Sequence, residues 1–307
     1  MDVDLKNIVD GILKNEYENK IPLKVKNRCQ EELKKIEDNG ENLNYFLAYK
    51  ICQKANDDRK IIIDRVAGSS YVAYLLGITF VNPLECDIFW QKNITFDLEC
   101  NEYYLDELRF YARKLLENYK LEGELKNYNI YLNSIGYAKD PEKWEIVTGK
   151  RRWNVNIIDD TYCEYLNSNN IILSSGEKEI VAKIPVDNID TLAKVILFER
   201  STIFDKEDYI ELLRKKMVIS REDLFYYLVH HGMDEAKAWE ITLFIGKKLV
   251  KDHDKWLEYQ KLMKSLNVPK DMVEYFSKIV YLYPKAYGYN RAIIYLWLIY
   301  YETLNII

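Results

Sequence analysis

Asp97 and Glu99 stand two residues apart in Ile94-Thr95-Phe96-Asp97-Leu98-Glu99, a run with the grammar of a β-strand. Side chains at i and i+2 of a strand point to one face, so the two carboxylates could together hold Mg2+ or Mn2+. Upstream, Lys60-Ile61-Ile62-Ile63-Asp64 reads as a buried strand and leads through Gly68-Ser69-Ser70 into a helix that starts at Tyr71. A glycine lets the backbone approach a triphosphate, and serine hydroxyls donate to it. The helix start adds free N–H groups and the positive end of a dipole. Strand, Gly-Ser-Ser, helix and carboxylate-bearing strand are the layout of metal-dependent nucleotidyl transfer, in which two ions clamp the attacking and leaving oxygens. Each piece also has a plainer use. Gly-Ser-Ser before a helix makes a turn with a serine N-cap, and Asp-x-Glu on a strand makes a solvated face.

Other residues could meet a polyanion. Lys150, Arg151, Arg152 and Trp153 form the densest basic cluster, with an indole that could stack on a base; the same string would serve as a solvated hairpin tip. Arg214-Lys215-Lys216 and Lys247-Lys248 fall at helix C-termini, where cations suit the macrodipole. His230-His231 before Gly232 marks a helix terminus, since adjacent residues face apart. Tyr281, Tyr283, Tyr287 and Tyr289 are core-edge tyrosines or a stacking surface for bases.

The elements that must position these residues are mostly helical. The 307 residues include only 11 Gly and 6 Pro, which excludes collagen-like and linker-rich chains and disfavours a many-turned barrel or sandwich. Hydrophobic residues at 48% suffice for a sizeable core. A net charge of −5 argues against a surface that is a nucleic-acid footprint throughout, while leaving room for a local basic groove. Five scattered cysteines without C-x-x-C spacing suit reduced thiols in the cytoplasm and exclude a disulfide framework. The acidic start MDVDLKNIVD is unlike a signal peptide, and the late apolar run from Ala292 to Tyr301 is too short to span a membrane.

Leu5, Ile8, Val9, Ile12 and Leu13 make the stripe of a first helix, followed by helices over about 26–37 and 44–55. After the two strands, Tyr104 to Leu116 is helical again. Within 121–190 the strings Tyr128–Leu132, Trp153–Ile158, Ile171–Leu173 and Glu179–Ile184 read as short strands. From about 205 the pattern is helical throughout: 207–216, 222–230, 235–249, 254–265, 270–281 and 286–303. The fold class is α+β with two domains, 1–204 and 205–307. The first holds helices over 1–56, a core over 59–120 and a divergent strand-rich part over 121–204.

Three stretches carry a resemblance. The first runs from Leu23 through RCQEELKKIEDNGENLNYFLAYKICQKANDD to AGSSYVAYLLGITFVNPL, with GITFVNPL at 77–84 its most specific phrase. The second is REDLFYYLVHHGMDEAKAWEI at 221–241, and the third is IVYLYPKAYGYNRAIIYLWLIYYE at 279–302. In this order they resemble the palm entry, the helical segment downstream of the palm and the fingers helix of PolC-type DNA polymerase III. The resemblance implies a nucleotidyltransferase-like palm with N-terminal helices, followed by an all-helical fingers-like domain. It also implies that Gly68, Ser69, Ser70 and Lys285 face a nucleotide phosphate.

The departures from that family are specific. Its loop reads R-G-S-V-G-S-S, where this chain has Asp64-Arg65-Val66-Ala67-Gly68-Ser69-Ser70. Its catalytic D-x-D falls on Thr95-Phe96-Asp97, so one metal ligand is replaced, and Glu99 could substitute only by a shift of about 6–7 Å along the strand. The closest string to its third aspartate is Lys183-Ile184-Pro185-Val186-Asp187, with Pro185 in the acidic position. The fingers histidine is Tyr287. These residues predict a catalytically depleted polymerase relative that binds DNA, nucleotide or a replication protein. Two alternatives remain open. One is an active minimal nucleotidyltransferase using Asp97 and Glu99 with Mg2+ or Mn2+, and the other is a protein-interaction module that mimics a polymerase surface.

Overall fold

The computed structural model describes residues 4–18, 20–57, 62–64, 67–91, 94–100, 102–134, 173–184, 186–200, 218–247 and 253–303. The chain divides into two compact units, residues 1–154 with 293–307, and residues 155–292.

The first unit opens with three helices, α1 (Leu5–Tyr17), α2 (Leu23–Asp38) and α3 (Asn42–Asp57). Strand β1 (Ile62–Asp64), a 3-10 turn at Ala67–Ser69 and the short α4 (Tyr71–Leu75) follow. Strand β2 (Phe96–Cys100), α5 (Glu102–Asn118), a 3-10 turn at Leu125–Tyr128 and β3 (Ile130–Ser134) complete its described elements up to residue 134. The sheet order is β1-β2-β3, with β1 antiparallel and β3 parallel to the central β2. Register pairs Ile63 with Glu99 on one side, and Asp97 with Tyr131 and Glu99 with Asn133 on the other.

Alternation along β2 decides which face is core. Phe96, Leu98 and Cys100 are fully buried and join Ile130 and Leu132 of β3 in one apolar cluster. That cluster is completed by Leu5, Val9 and Leu13 of α1, by Tyr45, Leu47, Ile51 and Cys52 of α3, and by Leu108, Ala112 and Leu115 of α5. Tyr45 meets Phe96 edge-on, with ring centroids 4.9 Å apart, which ties α3 to the central strand. Each such side chain contributes roughly 1.5–3 kcal/mol by leaving water. Asp97 and Glu99 are thereby committed to the opposite face.

The second unit contains α6 (Ser175–Val181), α7 (Ile189–Arg200), α8 (Arg221–His230), α9 (Glu235–Gly246), α10 (His253–Ser265) and α11 (Lys270–Lys278). Helix α12 (Lys285–Thr303) starts here and ends in the first unit. Local chemistry sets the ends of these helices. Ser174 with Glu177 and Ser220 with Asp223 form capping boxes, and Asp234 caps α9 through the Lys237 N–H at 3.1 Å. Gly232, at φ 85°, provides the left-handed residue that ends α8. The two adjacent histidines bond back to Tyr226 and Tyr227 carbonyls within α8, as a helix terminus requires.

The architecture is mostly helical with a small sheet, an α+β arrangement. Two expectations within 121–204 are corrected. Glu179–Ile184 is not a strand: Ser175–Val181 is a helix, because the Ser174–Glu177 capping box starts one and Glu177, Ile180 and Val181 share its buried side. The strand expected at Tyr128–Leu132 lies two residues later, at Ile130–Ser134. Trp153–Ile158, the first two residues of the strand expected at Ile171–Leu173, the helix expected at 207–216 and the boundary expected between 204 and 205 lie outside the described residues.

Candidate functional site

Asp97 and Glu99 share one face of the central strand, as the spacing predicts. They are not equivalent there. Glu99 is 6% exposed, whereas Asp97 is half-buried and its Oδ1 accepts a hydrogen bond from Asn133 Nδ2 on β3. Tyr131, paired with Asp97, is exposed on the same strand. Asn133 follows Tyr131 by two residues, so strand parity places it on the carboxylate face; that parity was the available signal, and the sequence reading did not use it. Among the described residues no three His, Cys, Asp or Glu side chains are grouped to hold a metal ion. Two ions need carboxylates around both, and the described part of this face supplies Asp97, which accepts from the Asn133 amide, and Glu99. The described residues therefore do not fit a two-metal centre.

The Gly68-Ser69-Ser70 turn departs from expectation in a definite way. All three residues are buried, Ser70 completely. Ser70 is the N-cap of α4, its Oγ accepting from the Ala73 N–H at 3.1 Å. The same hydroxyl donates to Glu32 Oε2 at 2.8 Å, and Glu32 also accepts the Tyr71 and Val72 N–H groups at 3.0 Å each. Glu32 is 1% exposed and is paired with Arg28, one helical turn earlier on α2. The Arg28 guanidinium then donates to the Ser69 carbonyl at 2.8 Å and the Ile88 carbonyl at 3.2 Å. The helix start expected to offer free N–H groups to a triphosphate is filled by the chain's own carboxylate. Arg28 and Glu32 were missed as site residues, although their i,i+4 spacing on an amphipathic helix was visible.

Two neighbours feel this buried charge. Burial, with Glu32 nearby, pushes the Tyr45 hydroxyl well above its ordinary range. Burial first and Glu32 second push the Cys29 thiol up to about 12.

In the second unit Lys285 is the first residue of α12. Its main-chain N–H donates to Glu222 Oε2 at 2.7 Å, so this helix start also has an internal carboxylate. Its ammonium lies over the Tyr289 ring, 5.6 Å from the centroid, while Tyr289 donates to Asp190 Oδ1 at 2.6 Å. Lys194 pairs with the other Asp190 oxygen at 2.6 Å. A phosphate at Lys285 would thus meet the side chain alone. The tyrosine ladder is closed on itself: Tyr283 stacks on Tyr287 at 4.9 Å, Tyr281 meets Tyr283 edge-on at 4.7 Å, and Arg221 lies over Tyr281 at 5.4 Å. Lys150, Arg151, Arg152 and Trp153 lie outside the described residues, as does Pro185. Lys183 and Ile184 follow helix α6 and Asp187 precedes α7, so no described strand carries a third aspartate there.

A three-stranded sheet backed by helices, with an acidic pair on its central strand after a capped Gly-Ser-Ser turn, defines an α+β unit. The comparisons with known proteins bear on this same segment. Residues 4–99 match the family model of the bacterial DNA polymerase III alpha NTPase domain. The chain is 38% identical over 69 residues to the PolC-type DNA polymerase III of Mycoplasma pneumoniae, covering 22% of this chain and 5% of that protein. It is 37% identical over 70 residues to that of Oceanobacillus iheyensis, covering 22% and 4%. For Lactococcus lactis subsp. lactis the figures are 36% over 81 residues, 24% and 5%. The resemblance of the N-terminal segment to PolC-type DNA polymerase III is thereby shown, and the matched stretch is about a twentieth of the length of these relatives. The patches at 221–241 and 279–302 lie outside residues 4–99.

Proposed function

We propose that this chain is a DNA polymerase III alpha-like protein that acts in or around DNA replication by binding, without two-metal nucleotidyl transfer. Its similarity to PolC-type polymerases supports the replication setting. The observation that carries the binding reading is the face of β2. By the resemblance, Thr95, just before β2, stands at the first position of the family's D-x-D, and Asp97 accepts a hydrogen bond from Asn133. The ligand we argue for is DNA, with Lys150, Arg151, Arg152 and Trp153 offered to its backbone and bases, while a replication protein bound in place of DNA belongs to the surface-mimic reading. Action there places the protein in the cytoplasm, and no helix among the described residues is long and apolar enough to cross a membrane.

The test uses the full chain with primed template DNA, labelled deoxynucleotides and either Mg2+ or Mn2+. The expected outcome is no incorporation, together with DNA binding that weakens steeply as salt rises. Metal-dependent incorporation that disappears in Asp97→Ala would overturn the reading in favour of a minimal nucleotidyltransferase using Asp97 and Glu99. Absence of DNA binding at low salt, with stable co-purification of a replication protein, would leave the surface-mimic module in its place.

A further inference from the structure

At the far end of α4 from the Gly-Ser-Ser turn lies a cavity of about 270 Å3, lined by α1, α3, α4 and the turn that follows α4. Local sequence builds each wall. Ile12 and Glu16 stand one turn apart on α1, as Tyr49 and Gln53 do on α3, so each pair lines the cavity together. Gly77, at φ 69°, ends α4. Its N–H donates to the Tyr74 carbonyl at 3.0 Å, and the Ile78 N–H donates to the Ala73 carbonyl at 2.9 Å. This left-handed residue turns the chain back, so that Phe80 joins Tyr74 in the lining.

Among the described walls, Tyr49, Tyr74 and Phe80 supply aromatic rings and Glu16 a carboxylate. All four side chains are half-buried, so the cavity meets solvent while its charge is screened less than on an open surface. Helices α1 and α4 both bring their last turns to it, where the helix dipole is negative. Ring faces, a carboxylate and helix C-termini all attract positive charge. One of these rings already takes an ammonium of the chain. Lys50 Nζ lies 5.6 Å from the Tyr49 ring centroid and donates to Gln53 Oε1 at 3.3 Å. A volume of about 270 Å3 falls just below the roughly 300–1,000 Å3 of drug-sized sites, so the occupant is small.

We infer that this cavity binds a small alkylammonium ion, with its N-alkyl groups against Tyr49, Tyr74 and Phe80 and its charge balanced by Glu16. A carboxylate has about four acceptor directions, so Glu16 serves the ligand beside any contact it already makes. A bare metal ion does not suit the same walls, because one carboxylate among rings cannot replace a hydration shell. An anion is opposed by Glu16 and by both helix ends. The site is independent of the replication reading, since none of its walls is among the residues offered to DNA.

The experiment titrates the full chain, isotope-labelled at glycine nitrogen, with tetramethylammonium chloride under NMR, NaCl holding the ionic strength constant. The chain has 11 glycines, and Gly77 is assigned as the amide signal missing in Gly77→Asn. The expected result is a saturable shift of the Gly77 signal that tert-butanol, a neutral molecule of similar size, does not produce. Glu16→Gln should weaken binding by about tenfold or more, and Tyr74→Leu by about 2- to 30-fold. Should either variant fail to fold, the wild-type contrast between tetramethylammonium and tert-butanol decides alone. No saturable shift, an equal shift with tert-butanol, or undiminished affinity in Glu16→Gln overturns the assignment.

Discussion

Glu32→Ala is the substitution that most directly tests how the Gly-Ser-Ser turn is built. It removes the acceptor of three hydrogen bonds, from Ser70 Oγ, Tyr71 N–H and Val72 N–H, and the partner of Arg28. The stranded groups are buried, with Ser70 inaccessible, Tyr71 1% and Val72 0% exposed. Hydrogen bonds to a charged group contribute about 1.5–3 kcal/mol each, but they share one acceptor and do not add. Removing one partner of a buried pair costs about 3–5 kcal/mol, which is the better guide here. Arg28 keeps the Ser69 and Ile88 carbonyls, so the lower part of that range is expected, about 3–4 kcal/mol. For a unit of this size that lowers the melting temperature by roughly 6–16 °C. Urea unfolding followed by far-UV circular dichroism measures it, and a double-mutant cycle with Arg28→Met isolates the pair. A loss below about 1 kcal/mol would refute the claim that Glu32 is the internal anion of this turn.

Two further tests concern packing and reactivity. A Cβ at Gly288 would stand 2.6 Å from Leu197 Cγ and 2.7 Å from the Ala193 carbonyl, so Gly288→Ala should destabilise the second unit by about 1–3 kcal/mol. Gly11, in the interior of α1, has nothing within 4 Å of its position, so Gly11→Ala should stabilise by about 0.5–1 kcal/mol; equal effects of the two in urea unfolding would contradict this packing. With its thiol pushed up to about 12 and buried, Cys29 should resist iodoacetamide at pH 8 in the folded chain, whereas the half-exposed Cys86 should label first; mass spectrometry showing the reverse order would count against the α1–α2 packing.

The helical stripes were the most legible part of the sequence. Leu5, Val9 and Leu13 are buried at the predicted spacing, and the ends of α8 and α9 follow from Ser220, Gly232 and Asp234, whose cap chemistry is local. Strand β2 was legible for the same reason, because alternation separates Phe96 and Leu98 from Asp97 and Glu99. Failure came where a short apolar string had no period of its own. Glu179–Ile184 has the composition of a strand, yet the two-sided bond between Ser174 and Glu177 settles it as a helix. The partners of the site were illegible for a different reason. Glu32 lies 38 residues from Ser70, and Asn133 lies 36 from Asp97, and no local pattern in either segment names the other.

Glu32 and Glu222 make one physical point about both candidate phosphate seats. A helix start attracts an anion because its first N–H groups lack partners, and the attraction does not specify where the anion comes from. At α4 the anion is a carboxylate from α2, and at α12 it is one from α8. The two occupants differ in what holds them. Glu32 has Arg28 beside it, whereas Glu222 has Asp223 opposing its charge. The first seat is therefore filled by a carboxyl with a guanidinium beside it, and the second by a carboxyl that burial pushes up to about 7. A nucleotide phosphate brought to Lys285 would have to displace Glu222 from the main-chain N–H or bind the ammonium alone.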